Sequence, residues 1–283
     1  MKEEFLSPMC PIDLSDRIRT TATSDPQFEH DGIRFLTLYS PALKGRGDVS
    51  VFSPPGIEQR ADVPLVILLH GVHDSHWVWF FNGGAHKVAM DLMADGRMRP
   101  MLLATPSDGL YEDGSGYLRH SGQDFEGWVT DDVIEGVANA FGCVSEKSPI
   151  FIVGLSMGGY GALRLGLKRA DIFRGISAHS AITDIKEMSQ FVRDPFPPEL
   201  LESTETDLFA WIEKNREILP PFRFDCGTSD ELIEGNRRFH DELKRRGISH
   251  QYAEFEGKHE WSYWSAHISS SFLFFESILA VPR

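Results

Sequence analysis

The feature that most constrains this fold is a rhythm of short, continuously apolar runs alternating with helical patterns. Residues 64–70 (PLVILLH) are apolar at both odd and even positions, as in a strand buried on both faces of a sheet. Residues 85–94 follow with helical spacing of Val88, Ala89 and Leu92, and 101–104 repeat the strand signal. The alternation continues through a helix over 125–141, a strand over 150–153, a helix over 157–168 and a strand over 173–178. After a long connection it resumes with a strand at 222–226, a helix at 231–246, a strand at 251–255 and a C-terminal helix at 261–279. Strands alternating with helices predict an α/β fold with a mostly parallel central sheet flanked by helices. Two β-branched and aromatic runs, 33–39 and 48–52, separated by Pro41 and glycines, read as an opening antiparallel pair.

Periodic elements cover almost all of the 283 residues without a Gly/Ser-rich or charged linker, so one domain is expected over 31–283. Residues 1–30, polar and broken by prolines, read as an N-terminal arm. Residues 181–221, with Phe191, Pro195, Pro197, Pro198 and Trp211, exceed an ordinary connection and are expected to form a lid-like insertion before the second group of strands.

The charge balance narrows the partners. With 28 Lys and Arg against 42 Asp and Glu the formal charge is −14, which repels phosphate backbones and anionic membranes; neither nucleic acid nor membrane is expected as a partner. No apolar run is long enough to span a bilayer. The opening MKEEF lacks the basic and apolar regions of a secretory signal, and three widely spaced cysteines (Cys10, Cys143, Cys226) fit reduced thiols, so a cytoplasmic location is expected. The oligomeric state stays open, a homo-oligomer included.

The chemistry concentrates in Gly154-Leu155-Ser156-Met157-Gly158-Gly159, a G-x-S-x-G between a strand and a helix. A sharp strand-to-helix turn exposes the serine hydroxyl, and glycines on either side let the backbone pass close to its neighbours. A serine hydroxyl is a weak nucleophile unless a base removes its proton, and that base needs a carboxylate to orient it. Asp230 in Cys226-Gly227-Thr228-Ser229-Asp230 and His259 in Gly257-Lys258-His259-Glu260-Trp261 follow strands in the required order, at the carboxyl edge of the sheet. Asp225, inside a strand, and Glu231 compete as the acid, and Asp230 alternatively serves as a helix cap. His250 and His267 compete as the base.

These segments, with Leu68-Leu69-His70-Gly71, resemble the esterase D-like family of the α/β-hydrolase superfamily, which includes S-formylglutathione hydrolases, feruloyl and acetylxylan esterases and mycolyltransferases. The resemblance runs from about residue 30 to the C-terminus. It implies an oxyanion hole made by the backbone N–H groups of Val72 and Met157. It also implies a serine ester hydrolase acting without a cofactor on a small-molecule ester, through Ser156, His259 and Asp230.

Short-acyl esters of small alcohols, phenols or sugars are the expected substrates. A thioesterase or acyltransferase with the same triad is the alternative, followed by a non-catalytic binding module and a metal-dependent hydrolase. The last would use the loop His70-Gly-Val-His73-Asp74-Ser-His76, whose spacing does not match a metallo-hydrolase motif; no metal is expected. Trp77, Trp79, Phe80, Trp128, Trp261 and Trp264 are candidates for pocket walls, of which Trp77 and Trp128 are selected from their places near strand ends.

Overall fold

In the computed structural model, which describes residues 18–194 and 196–280, nine strands form one sheet: β1 (Arg19–Thr23), β2 (Ile33–Ser40), β3 (Gly45–Phe52), β4 (Leu65–Leu69), β5 (Leu102–Pro106), β6 (Ile150–Leu155), β7 (Phe173–His179), β8 (Phe222–Gly227) and β9 (Gln251–Phe255). Their order across the sheet is β1-β2-β3-β5-β4-β6-β7-β8-β9. The pairs β1/β2, β2/β3 and β3/β5 are antiparallel, and every later pair is parallel. The alternating apolar runs therefore form a mostly parallel sheet, with the opening hairpin at one margin.

Part of the stretch read as an arm belongs to that margin: β1 pairs with β2, and Thr21 Oγ1 donates to the Thr37 carbonyl over 2.8 Å. All five of its residues are exposed, so apolar patterning carried no signal of it. Residues 1–17, including Cys10, lie outside the described residues.

The helices are α1 (Ala85–Ala94), α2 (Phe125–Gly127, Trp128–Asp132 and Val133–Phe141 in one run), α3 (Ser156–Lys168), α4 (Leu208–Lys214), α5 (Ile233–Arg245) and α6 (Trp261–Leu279). Two apolar layers sandwich the sheet, because its central strands bury side chains of both parities. Leu65, Ile67 and Leu69 of β4 face Val133, Val137, Leu163 and Leu165 of α2 and α3. Val66 and Leu68 face Ala89 and Leu92 of α1 and Ile268 and Phe272 of α6. The middle segment of α2, Trp128–Asp132, is a π-helical turn, a widening that periodicity does not reveal.

The insertion holds short helical turns at Ile185–Gln190, Pro198–Leu201, Thr204–Thr206 and Arg216–Ile218, plus α4. It is tied to α3 by Tyr160 Oη donating to Thr206 O (2.9 Å) and by Asn215 Nδ2 donating to Leu167 O (2.7 Å). It is tied to the loop after β5 by Arg193 N–H donating to Asp113 Oδ2 (2.7 Å). A cavity of about 740 Å³ between the insertion and α5, lined by Thr183, Glu187, Thr206, Phe209 and Arg238 among others, does not include Ser156 or His259.

Candidate active site

Ser156 opens α3 with φ of +53°, a left-handed conformation that side chains rarely adopt and that is held only where the surroundings demand it. The demand comes from the flanking glycines. A Cβ on Gly154 would collide with the Gly158 carbonyl, and one on Gly158 with the Leu69 and His70 carbonyls. Strand β6 can thus turn into α3 directly over the end of β4, and the turn sets the Ser156 hydroxyl at the carboxyl edge of the sheet.

Two neighbouring loops bring the partners. After β8, Thr228 N–H donates to Phe255 O (2.8 Å) and Ser229 N–H to Gly257 O (2.9 Å), lacing the Asp230 loop to the His259 loop. Such close backbone contact needs Gly227, where an added Cβ would lie 2.5 Å from Gly257 O. In this setting Ser156 Oγ–H donates to His259 Nε2 (2.9 Å), and His259 Nδ1–H faces Asp230 Oδ2 and Oδ1 at 3.0 and 3.1 Å. Asp230 Oδ1 also accepts from Leu232 N–H (2.9 Å), so the carboxylate orients the imidazole and caps the next turn together. Asp230 is buried, and although desolvation is the largest single influence, the hydrogen bond and charge of His259 together with the Leu232 N–H outweigh it and hold its carboxyl below the ordinary carboxylate value. Chemically, the chain from carboxylate to imidazole to hydroxyl can withdraw a proton from Ser156.

The rival residues have other partners. Asp225 faces the interior of the sheet and is bound by Arg223 Nη2 (2.5 Å), His179 Nδ1 (3.0 Å) and Tyr263 Oη–H (2.9 Å). His179 Nε2 in turn lies 2.7 Å from Ser271 Oγ, which completes a second Ser-His-Asp chain. Ser271, His179 and Asp225 all have no exposure, so no ester reaches them and the group acts as a polar clasp between β7, β8 and α6. His267 is packed between Phe255 and Tyr263, and His250 is hydrogen-bonded to His240.

Among the described residues neither the Val72 nor the Met157 amide N–H has a hydrogen-bond acceptor. Both belong to segments that meet Ser156, Met157 as the next residue and Val72 just after Gly71, where an added Cβ would be 3.5 Å from Ser156 Cβ. The Met157 amide also lies in the first turn of α3, where unpaired N–H groups and the helix dipole favour negative charge. His70 underpins the loop: Nδ1–H donates to Gly71 O (2.7 Å), Nε2 accepts from Asp108 N–H (3.0 Å), and Tyr117 Oη–H donates to His70 O (3.0 Å).

The aromatic expectations need correction. Trp128 has no exposure; it packs against Gly47 and donates Nε1–H to Ser107 O (2.7 Å), so it is a core residue of the π-helical turn and not a pocket wall. Trp77 is 41% exposed, just before a short helical turn at Val78–Phe81. The rings that touch the imidazole are Phe191 of the insertion, stacked on His259 with centroids 5.6 Å apart, and Trp264 of α6, edge-on at 5.0 Å. Trp264 follows His259 by five residues, at the start of α6, a signal the sequence did contain; Phe191 is brought over by the insertion alone. The described residues contain no group of three or more His, Cys, Asp or Glu placed to hold a metal ion: His73 faces Asp113 (3.3 Å) and His76 faces Ser50 (2.7 Å).

A mostly parallel sheet with a serine on a strained strand-to-helix turn, met by an acid and a histidine from later strand ends, defines an α/β-hydrolase. The family model described as "Putative esterase" matches residues 40–275, and the chain belongs to that family; it is a carboxylic ester hydrolase. It is 28% identical over 262 residues to an acetyl esterase of Caldicellulosiruptor saccharolyticus, covering 84% of this chain and 95% of that one. Its fold matches a ferulic acid esterase with a TM-score of 0.76 at 24% identity, over 87% of this chain and 98% of that one. It also matches an S-formylglutathione hydrolase of Staphylococcus aureus with a TM-score of 0.69 at 19% identity, over 90% and 99% of the two chains. Among the described residues no helix is long and apolar enough to cross a membrane.

Proposed function

We propose that the enzyme hydrolyses short-acyl esters of small alcohols, phenols or sugars through a Ser156-His259-Asp230 triad and an acyl-enzyme. The observation that carries this reading is the strained Ser156 hydroxyl, 2.9 Å from an imidazole whose other nitrogen faces a buried carboxylate. Ser156 Oγ attacks the ester carbonyl while His259 Nε2 takes its proton. The tetrahedral oxyanion is bound by the N–H groups of Val72 and Met157, each worth on the order of 3 kcal/mol in the transition state. Collapse breaks the ester C–O bond, and His259 returns the proton to the departing alcohol. Water then attacks the acyl-enzyme, again losing its proton to His259, and the carboxylic acid and Ser156 are released.

A short acyl group is favoured by the tight surroundings: Ser156 is 2% exposed and the Phe191 ring lies over His259. The acetyl esterase similarity points the same way. The test is labelling by a fluorophosphonate together with hydrolysis of 4-nitrophenyl acetate. Ser156→Ala is expected to abolish labelling and to lower kcat by on the order of a millionfold. Retention of more than a small fraction of either would refute the nucleophile assignment.

A further inference from the structure

The loop His70–His76 carries four chemically versatile side chains, and three of them have partners: His70 with Gly71 and Asp108, His73 with Asp113, and His76 with Ser50. Asp74 has no hydrogen bond or ion pair among the described residues. It is half-buried, and burial lifts its carboxyl above the ordinary carboxylate value although His70 and His73 pull it down. Its position is close to the chemistry. The small space in front of Gly71, where a Cβ would lie 3.5 Å from Ser156 Cβ, is also bordered by Asp74 Oδ2, 3.9 Å from the same point. Asp74 also follows Val72, whose amide faces the developing oxyanion, by two residues.

An unpaired carboxylate here has an electrostatic consequence. Partly desolvated charges interact more strongly and are screened less than surface charges, so a negative group bordering Ser156 weights substrates by their own charge. It opposes an anionic group carried near the ester and favours a cationic one. The acyl group read for this enzyme is short and uncharged, so any charge that a substrate brings beside Asp74 is carried by its alcohol portion. We propose that Asp74 is a specificity-determining residue that selects esters of cationic or neutral alcohols and rejects esters whose alcohol bears a carboxylate. This rests on the reading of Ser156 as the nucleophile, and it deepens that reading by fixing the charge class of the leaving group.

The experiment compares acetylcholine, its neutral isostere 3,3-dimethylbutyl acetate, and 4-acetoxybutyrate, with acid release followed at pH 8 and low ionic strength. All three share the acyl group and a primary alkyl leaving group, and because their alcohols differ in acidity the readout is the change of the kcat/KM ratio between wild type and variant, in which intrinsic reactivity cancels. The wild-type enzyme is expected to prefer the cation to the anion by at least tenfold. Asp74→Asn, nearly isosteric, should reduce that ratio at least fivefold, and Asp74→Lys should invert it. Fluorophosphonate labelling of Ser156 in each variant confirms an intact site. Glu112→Gln, which neutralises an exposed acid on the neighbouring loop, should keep the wild-type ratio. Three results overturn the inference: no charge preference in the wild type, an unchanged ratio in both Asp74 variants, or an equal change in Glu112→Gln. Hydrolysis that persists in Ser156→Ala would instead overturn the proposed nucleophile.

Discussion

Asp230 and Asp225 lie five positions apart, each contacts a histidine, and each is buried, yet their surroundings assign them different work. Asp230 faces a histidine that reaches Ser156 Oγ, whereas Asp225 is enclosed by Arg223, His179 and Tyr263. Asp230→Asn is therefore expected to lower kcat by on the order of ten-thousandfold with little change in stability, because the imidazole loses its orienting acceptor while the oxyanion donors remain. Asp225→Asn is expected to act on stability instead, leaving a buried guanidinium short of its counter-charge. The Asp225 carboxyl is held down to about 2 from an ordinary 3.8, chiefly by His179 and Arg223 acting against its own desolvation. A depressed carboxylate contributes stability that is present above the unfolded value and lost as pH falls through the folded one. About 2 kcal/mol should thus disappear between pH 4 and pH 2. Urea midpoints measured across that range should fall steeply in the wild type and more gently in Asp225→Asn; a kinetic defect in Asp225→Asn larger than that of Asp230→Asn would mean that the acid is misassigned.

At the scale of elements, α3 both presents the nucleophile and anchors the insertion. Arg164, 2% exposed, donates to Glu126 Oε2 of α2 (2.8 Å) and to Glu205 O of the insertion (2.6 Å), with a longer bond to Tyr117 O (3.4 Å). Lys168, one turn further on, bridges Glu126 and Glu205 at 2.9 and 2.7 Å. One face of a helix therefore clamps three segments through charge. Arg164→Ala is expected to destabilise the fold by about 3 kcal/mol, since Glu126 would remain buried with Lys168 as its remaining cation. The loss should appear first as faster amide exchange across the insertion, at residues 198–214, before the sheet opens. Equal exchange in both proteins would show that the insertion is held by its apolar contacts alone.

For the whole molecule, the decisive relation is between the sheet edge and the insertion folded back over it. The insertion reaches across to Asp113 through Arg193 N–H and lays Phe191 on His259, which narrows the approach to Ser156. A long acyl chain has to displace these contacts, and each methylene that fails to fit can forfeit up to about 3 kcal/mol of discrimination. In a series of 4-nitrophenyl esters, kcat/KM is expected to be highest from acetyl to butyryl and to fall at least tenfold by octanoyl. A value climbing steadily toward palmitoyl would refute the covered site and leave the triad unaffected.

The order of strands and helices, and the serine, acid and histidine at their ends, were legible in the chain because strand burial, turn glycines and the order of the triad are local or sequential properties. Residues 251–255 and 261–279 even have the bounds expected of them. What a residue touches across the molecule was not legible. Trp128 looks like a strand-end residue and is core, because the π-helical turn rotates it onto Gly47. The exposed strand β1 has no apolar periodicity to betray it, and it exists only because β2 offers an unpaired edge. The closure of Phe191 over His259 and the isolation of Asp74 beside Ser156 were decided by tertiary packing. Each depends on distances between segments far apart in the chain, which periodicity does not encode.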